Sequence, residues 1–272
     1  MRLRHIIPAF LLCTLGISCI KENRSNCPCY LHLDLSRVDS NYVHSIDLMM
    51  EGGHHLAEWF PVDKSYIGDT LIIPVAKSEF DLCAWGNMYT SQREEHSRTI
   101  TPGNVLDSLW SDYQRISTRC EDAYVSVVPS RQYIPVTIII RGQIGGITNL
   151  DPVLGNISDR LTFTGVATGA AGNSRPLLVS APTSPEGYYL YRTMILTQAS
   201  ATKANLTVQF ERGGLAHRSV LPLGRMLLEI GEDISLTGRN PIVLDITIGT
   251  ANIFLTIKVN GWTSHGVYEI TL

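Results

Sequence analysis

Charge is scarce in this sequence. Only 17% of its 272 residues are Asp, Glu, Lys or Arg, and the formal net charge is −3. There is no basic stripe, which excludes the phosphate-neutralising surface that a nucleic-acid partner requires. Long apolar runs are missing too. The longest, over residues 6–17, is twelve residues, whereas a membrane-spanning helix needs roughly 20. Catalytic signatures are also absent: there is no Gly-x-Ser-x-Gly elbow, no Walker phosphate loop, no His-Glu-x-x-His and no EF-hand loop. His54 and His55 are adjacent, so on a strand they face opposite ways and cannot share a metal. Acidic residues are scattered, and only a carboxylate pair brought together from distant strands would escape notice. An enzyme, a metal centre, a cofactor and a small-molecule substrate are not expected.

What the N-terminus holds is an export pattern. Arg2, Arg4 and His5 precede the short apolar core of residues 6–17, and Gly16 and Ser18 flank a cut before Cys19. Residues 1–18 are predicted to be a signal peptide, and Cys19 the residue that receives lipid after cleavage. Gly16 stands where a standard lipobox carries Leu. Residues 19–26 then form a polar, lipidated tether. Each buried methylene contributes about 0.8 kcal/mol, so several acyl chains on one cysteine hold a soluble body firmly. The expected body is anchored to a membrane and does not span it. Without Arg2 and Arg4, it carries 20 basic against 25 acidic residues.

Six cysteines are present. With Cys13 in the signal and Cys19 assigned to lipid, Cys27, Cys29, Cys83 and Cys120 remain. Four cysteines in an exported chain suggest two disulfides with three possible connectivities. Cys27 and Cys29 are not expected to bond to each other, so separate pairing with Cys83 and Cys120 is the favoured scheme. No second Cys-x-x-Cys or spaced His pair completes a zinc site.

The rest reads as β-structure. Leu31, Leu33 and Leu35 alternate with His32, Asp34 and Ser36, a half-buried strand. Residues 43–50, 71–75 and 80–85 follow as strands, with Pro74 marking a sheet edge. Residues 86–104 read as a surface loop, and Val105, Leu106, Leu109, Trp110 and Tyr113 fall at helical spacing. Ile134, Val136, Ile138 and Ile140 mark a strong strand. The stretch 141–185 is rich in Gly, Thr, Ser and Pro, and 226–230 reads equally as strand or helix. Near the end, Ile242 to Ile248 and Ile253 to Val259 alternate cleanly, and Tyr268, Ile270 and Leu272 alternate on a last strand. Many short strands separated by turn signals predict a mostly β chain built of sandwiches.

The lipobox cysteine, the short tether and Cys27-Pro28-Cys29-Tyr30-Leu31-His32-Leu33-Asp34-Leu35 together resemble the FimB-type fimbrillin-associated anchor lipoproteins of Bacteroidales, relatives of the type V pilins. Val128 to Thr137 is similar to the opening of that family's second domain, and Val259-Asn260-Gly261-Trp262 to its ending. Tyr133, Pro135 and Gly261 depart from the family pattern. The resemblance implies two consecutive transthyretin-like β-sandwich domains, over 27–128 and 129–272. It also implies an outer-membrane lipoprotein that fixes the base of a fimbria, with fimbrial shaft or accessory pilin subunits as partners. Subunits of this kind join by strand addition, and Tyr268, Ile270 and Leu272 are the candidate strand. The alternative is a surface adhesin or glycan-binding lipoprotein, with Tyr188, Tyr189 and Tyr191 as a sugar platform. Asp69-Thr70-Leu71 and Asp107-Ser108-Leu109 match a short O-glycosylation sequon.

Overall fold

The computed structural model describes residues 27–52, 55–102, 107–169, 171–184, 186–198, 203–229, 240–259 and 262–271. It is mostly β, and its strands fall into five sheets. A three-stranded sheet runs β4 (Thr70–Val75), β1 (Cys29–Asp34), β9 (Asp122–Ser126). A five-stranded sheet runs β10 (Ser130–Arg131), β8 (Trp110–Ser117), β5 (Glu79–Gly86), β2 (Ile46–Gly52), β3 (His55–Val62). These two pack face to face: Leu31 and Leu33 of β1 share a core with Ile46 and Leu48 of β2 and Phe80 and Leu82 of β5.

In the second half, a six-stranded sheet runs β16 (Leu177–Ser180), β17 (Tyr189–Leu196), β11 (Tyr133–Gly142), β20 (Ile242–Ile248), β21 (Asn252–Val259), β22 (Trp262–Thr271). It packs on a four-stranded sheet of β15 (Gly172–Ser174), β12 (Ile147–Ile157), β18 (Asn205–Arg212) and β19 (Leu215–Leu221). The alternation read in the sequence is the cause. Ile134, Ile138 and Ile140 of β11 and Leu244, Ile246 and Ile248 of β20 are all 0% exposed. A slip of one residue would turn the whole ladder outward, which pins the register.

A further four-stranded sheet crosses the middle of the chain. Its order is β14 (Ala167–Thr168), β13 (Arg160–Thr162), β7 (Thr99–Thr101), β6 (Gln92–Glu94). A third core cluster accompanies it, joining Met49, Cys83, Trp85, Ile100 and Leu109 to Leu161, Phe163, Ala167 and Leu196. The Trp85 indole N–H donates to the Phe163 carbonyl at 2.8 Å inside this seam. Residues on both sides of position 128 therefore share one apolar core.

Three expectations need correction or completion. The helix expected from Val105 to Tyr113 is not formed: Val105 and Leu106 lie outside the described residues, Leu109 is buried in the seam, and β8 begins at Trp110. Pairing of β8 with β5 along its whole length, from Gly86↔Trp110 to Glu79↔Ser117, outweighs the local helical spacing. The loop expected over 86–104 contains β6 and β7. Of the ambiguous stretch 226–230, residues 226–229 end a helix, α1 (Leu223–Glu229), whose Leu223, Met226 and Leu227 face the core at i, i+3 and i+4, and Ile230 lies outside the described residues. Pro74 lies on β4, the outer strand of its sheet, as its missing N–H requires.

Candidate functional site

The root of the body, where β1 begins, gathers three of the four cysteines. Cys19 and the tether lie outside the described residues. Cys27 is exposed and Cys29 is buried at the first position of β1. β1 and β9 run parallel, with Tyr30 opposite Asp122, and the Tyr30 N–H donates to the Glu121 carbonyl at 2.7 Å. That register brings Cys120 beside Cys29. Burial, followed by the neighbouring Cys120, raises the Cys29 thiol above its usual pKa. The Cys120 Sγ lies 2.9 Å from the Asp122 carbonyl.

All four thiols, Cys27, Cys29, Cys83 and Cys120, are free in this structure. Cys83 sits apart from Cys29, in the seam cluster beside Trp85, while Cys29 belongs to the other core. Burial pushes its thiol up to about 12.

The outward face of the β4–β1–β9 sheet is set by the registers. Pro74, Tyr30 and Asp122 form the row nearest the start of β1; Ile72, His32 and Tyr124 form the next; Thr70, Asp34 and Ser126 form the last. Tyr30, Ile72 and Tyr124 are 50, 53 and 75% exposed. The His32 ring stacks on Tyr124 at 4.4 Å, and its Nε2 is 3.0 Å from an Asp122 carboxylate oxygen. In the far row, Asp34 accepts from the Ser36 N–H and hydroxyl, which holds its carboxyl below the usual range. The face thus grades from aromatic near the root to polar at its far end. The sequence shows the outward positions of β1 alone; which residues of β4 and β9 join them depends on pairing that it does not reveal.

The C-terminal candidate strand is β22, the outermost strand of the six-stranded sheet. Tyr268 and Ile270 stand opposite Leu255 and Ile253 of β21, and Leu272 lies outside the described residues. The expected tyrosine platform does not form. Tyr188 is exposed, but Tyr191 is buried and its hydroxyl donates to the Leu150 carbonyl at 3.1 Å, while Tyr189 packs on the same core. Tyr189 and Tyr191, two apart on β17, share the core-facing side, while Tyr188 precedes the strand. Burial pushes the Tyr191 phenol up to about 12.

A groove of about 650 Å³ opens where β15, β16 and β17 meet, lined among others by Asn173, Ser174, Arg175, Leu177, Arg192 and Thr193. Nothing in the sequence marks it, because its walls come from strands of two sheets. Of the two sequons, Thr70 is exposed on an outer strand, whereas Ser108 is half-buried and lies 3.3 Å from the Asn87 amide nitrogen. Asp107 is buried, accepting from the backbone N–H and the hydroxyl of both Thr90 and Ser91. Among the described residues, no three His, Cys, Asp or Glu side chains are grouped to hold a metal.

Comparison with known proteins gives the fold a setting. No family model and no curated protein sequence matches the chain. Solved structures do. The fimbrial anchor protein Mfa2 of Porphyromonas gingivalis superposes with a TM-score of 0.63 at 13% identity, covering 89% of this chain and 100% of that one. A candidate adhesin of Bacteroides ovatus superposes at 0.62 with 10% identity, covering 90% of this chain and 96% of that one. A candidate polysaccharide-binding protein of Bacteroides thetaiotaomicron superposes at 0.60 with 13% identity, covering 89% and 98%. The chain has the fold these structures share, one seen in a fimbrial anchor protein and in a candidate adhesin.

Proposed function

We propose that this chain is a lipid-anchored subunit of a surface fimbria, holding the base of the fibre to the outer membrane. The observation that carries the reading is the full-length match to the fold of a fimbrial anchor protein, joined to a candidate acylation residue, Cys19, placed shortly before the first strand. Such a role needs a tether, a rigid body and an open strand edge, and no catalysis. The body is divided at about residue 128 into an N-terminal sandwich (27–128) and a C-terminal one (129–272), following the tether 19–26. Shaft or accessory pilins join it by strand addition, with residues 266–272 as the donated or receiving edge. Main-chain hydrogen bonds give affinity there and alternating side chains give specificity.

One disulfide belongs to the same reading. Cys29 and Cys120, already neighbours, lose their two thiol protons and two electrons to a disulfide-carrying oxidant of the envelope, forming one S–S bond. That bond ties the strand at the root to β9. Non-reducing peptide mass spectrometry is expected to find the 29–120 cross-link; a bond to Cys83 would sink it.

The deciding experiment is Cys19→Ala in cells that carry fimbriae. Intact fimbriae should appear in the medium. Fimbriae that stay on the cells would defeat the anchor reading. Deleting residues 266–272 should release them while leaving a folded, membrane-bound protein; fibres still held by that variant would remove the strand-addition part alone. An adhesin is the second reading, favoured by the likeness to a candidate polysaccharide-binding protein and by the groove beside β16.

A further inference from the structure

The outward face of the β4–β1–β9 sheet leaves Tyr30, Ile72 and Tyr124 half or more exposed, a concentration of amphipathic and apolar side chains with no layer over it among the described residues. Resting on the lipid-anchor reading, we infer that this face lies on the lipid–water interface and sets the orientation of the body on the membrane.

Three observations lead there. The first is reach. Cys29 stands ten residues after Cys19, and an extended chain covers at most about 3.6 Å per residue, so the start of β1 stays within roughly 35 Å of the acylated residue. The second is the gradient along the sheet. Pro74, Tyr30 and Asp122 occupy the row at the tethered end, Ile72, His32 and Tyr124 the next, and the far row is Thr70, Asp34 and Ser126. The apolar end is therefore the one the tether brings to the membrane. The third is chemistry. Tyrosine has an apolar ring and a polar tip, which favours the headgroup level, where one end is dry and the other wet. The face carries no Lys or Arg in these nine positions, and Asp122 is paired with His32. Its attraction is thus to the interface itself, not to anionic headgroups.

A fluorescence experiment tests this. The protein, with six histidines placed between Cys19 and Ile20, is held on phosphatidylcholine vesicles through a nickel-chelating lipid. The tether then acts whether or not Cys19 is acylated. Tyr124→Trp supplies a reporter on the face, and Tyr188→Trp supplies one on the second half. The four native tryptophans are subtracted using the unsubstituted protein. On vesicles, emission from the reporter at 124 should shift to the blue and be quenched by doxyl-labelled phosphatidylcholine, while the reporter at 188 should do neither. Adding Tyr30→Ser and Ile72→Ser should abolish both changes at 124. Equal quenching at the two positions overturns the inference. So does a response at 124 that requires added shaft subunit, since the face would then belong to a protein partner. The mass of the Cys19 peptide from native membranes reports separately on the anchor reading.

Discussion

The six-stranded sheet and the seam are built by opposite means. The sheet's core is a ladder of aliphatic side chains repeated every second residue: Ile134, Val136, Ile138 and Ile140 beside Ile242, Leu244, Ile246 and Ile248. Each strand carries its own instruction. The seam is assembled from single residues scattered between Met49 and Leu196, none of which belongs to a long alternating run with the others. It depends on Trp85 and Phe163 meeting across 78 positions of chain. One region is specified locally and the other only by the completed fold.

The two can be played against each other. Trp85→Ala removes the largest buried side chain of the seam and leaves the Phe163 carbonyl without its donor; large aromatic deletions of this kind cost about 3–5 kcal/mol. If the seam couples the halves, urea unfolding should show both losing stability in one transition. A second-half transition that stays put would separate them. Ile138→Ala, inside the ladder, should cost about 2–5 kcal/mol and depress the same transition. Next in size is Gly52→Ala. Gly52 has φ +147°, and a Cβ there would lie 2.2 Å from the Glu79 carbonyl oxygen. We expect about 1–3 kcal/mol of strain, measured as a lower urea midpoint with an unchanged slope.

Much of this was legible beforehand. The alternation of β1, β11, β20 and β21, the edge position of Pro74 and the mostly β class follow from side chains placed every second residue. The Val105–Tyr113 stripe misled because Leu109 and Trp110 are apolar for different reasons, one filling the seam and the other flanking the first-half core on β8. That Cys29 and Cys83 face different cores was not legible, because spacing does not say which core a strand residue faces. For the candidate site, the sequence exposed the Cys19 region and the C-terminal alternation. The aromatic face and the groove arise from pairing between distant strands, which has no local signature.

Smaller effects sharpen the same contrast. Cys83, buried in the seam with its thiol pushed up to about 12, should resist alkylation at pH 8 in the native protein after mild reduction, while exposed Cys27 and Cys120 react. Labelling of Cys83 at their rate would mean that the seam opens readily. In the ladder's core, Tyr191 has its phenol raised to about 12 against a usual value near 10. A raised folded value means the stabilisation is complete below about pH 10 and lost as pH climbs towards 12. Tyr191→Phe should flatten that alkaline decline, as followed by circular dichroism; an unchanged slope would show that another group causes it.

The proposed function is a matter of position, at the membrane end of a fibre. Fimbriae extracted in detergent and labelled with gold-conjugated antibody against this chain test it most directly by electron microscopy. A fimbrial base predicts gold at one end of each fibre, beside the membrane fragment; fibres shed by Cys19→Ala cells should keep terminal gold but lack that fragment. Gold along the shaft, or only at the end distal to the membrane fragment, would contradict it.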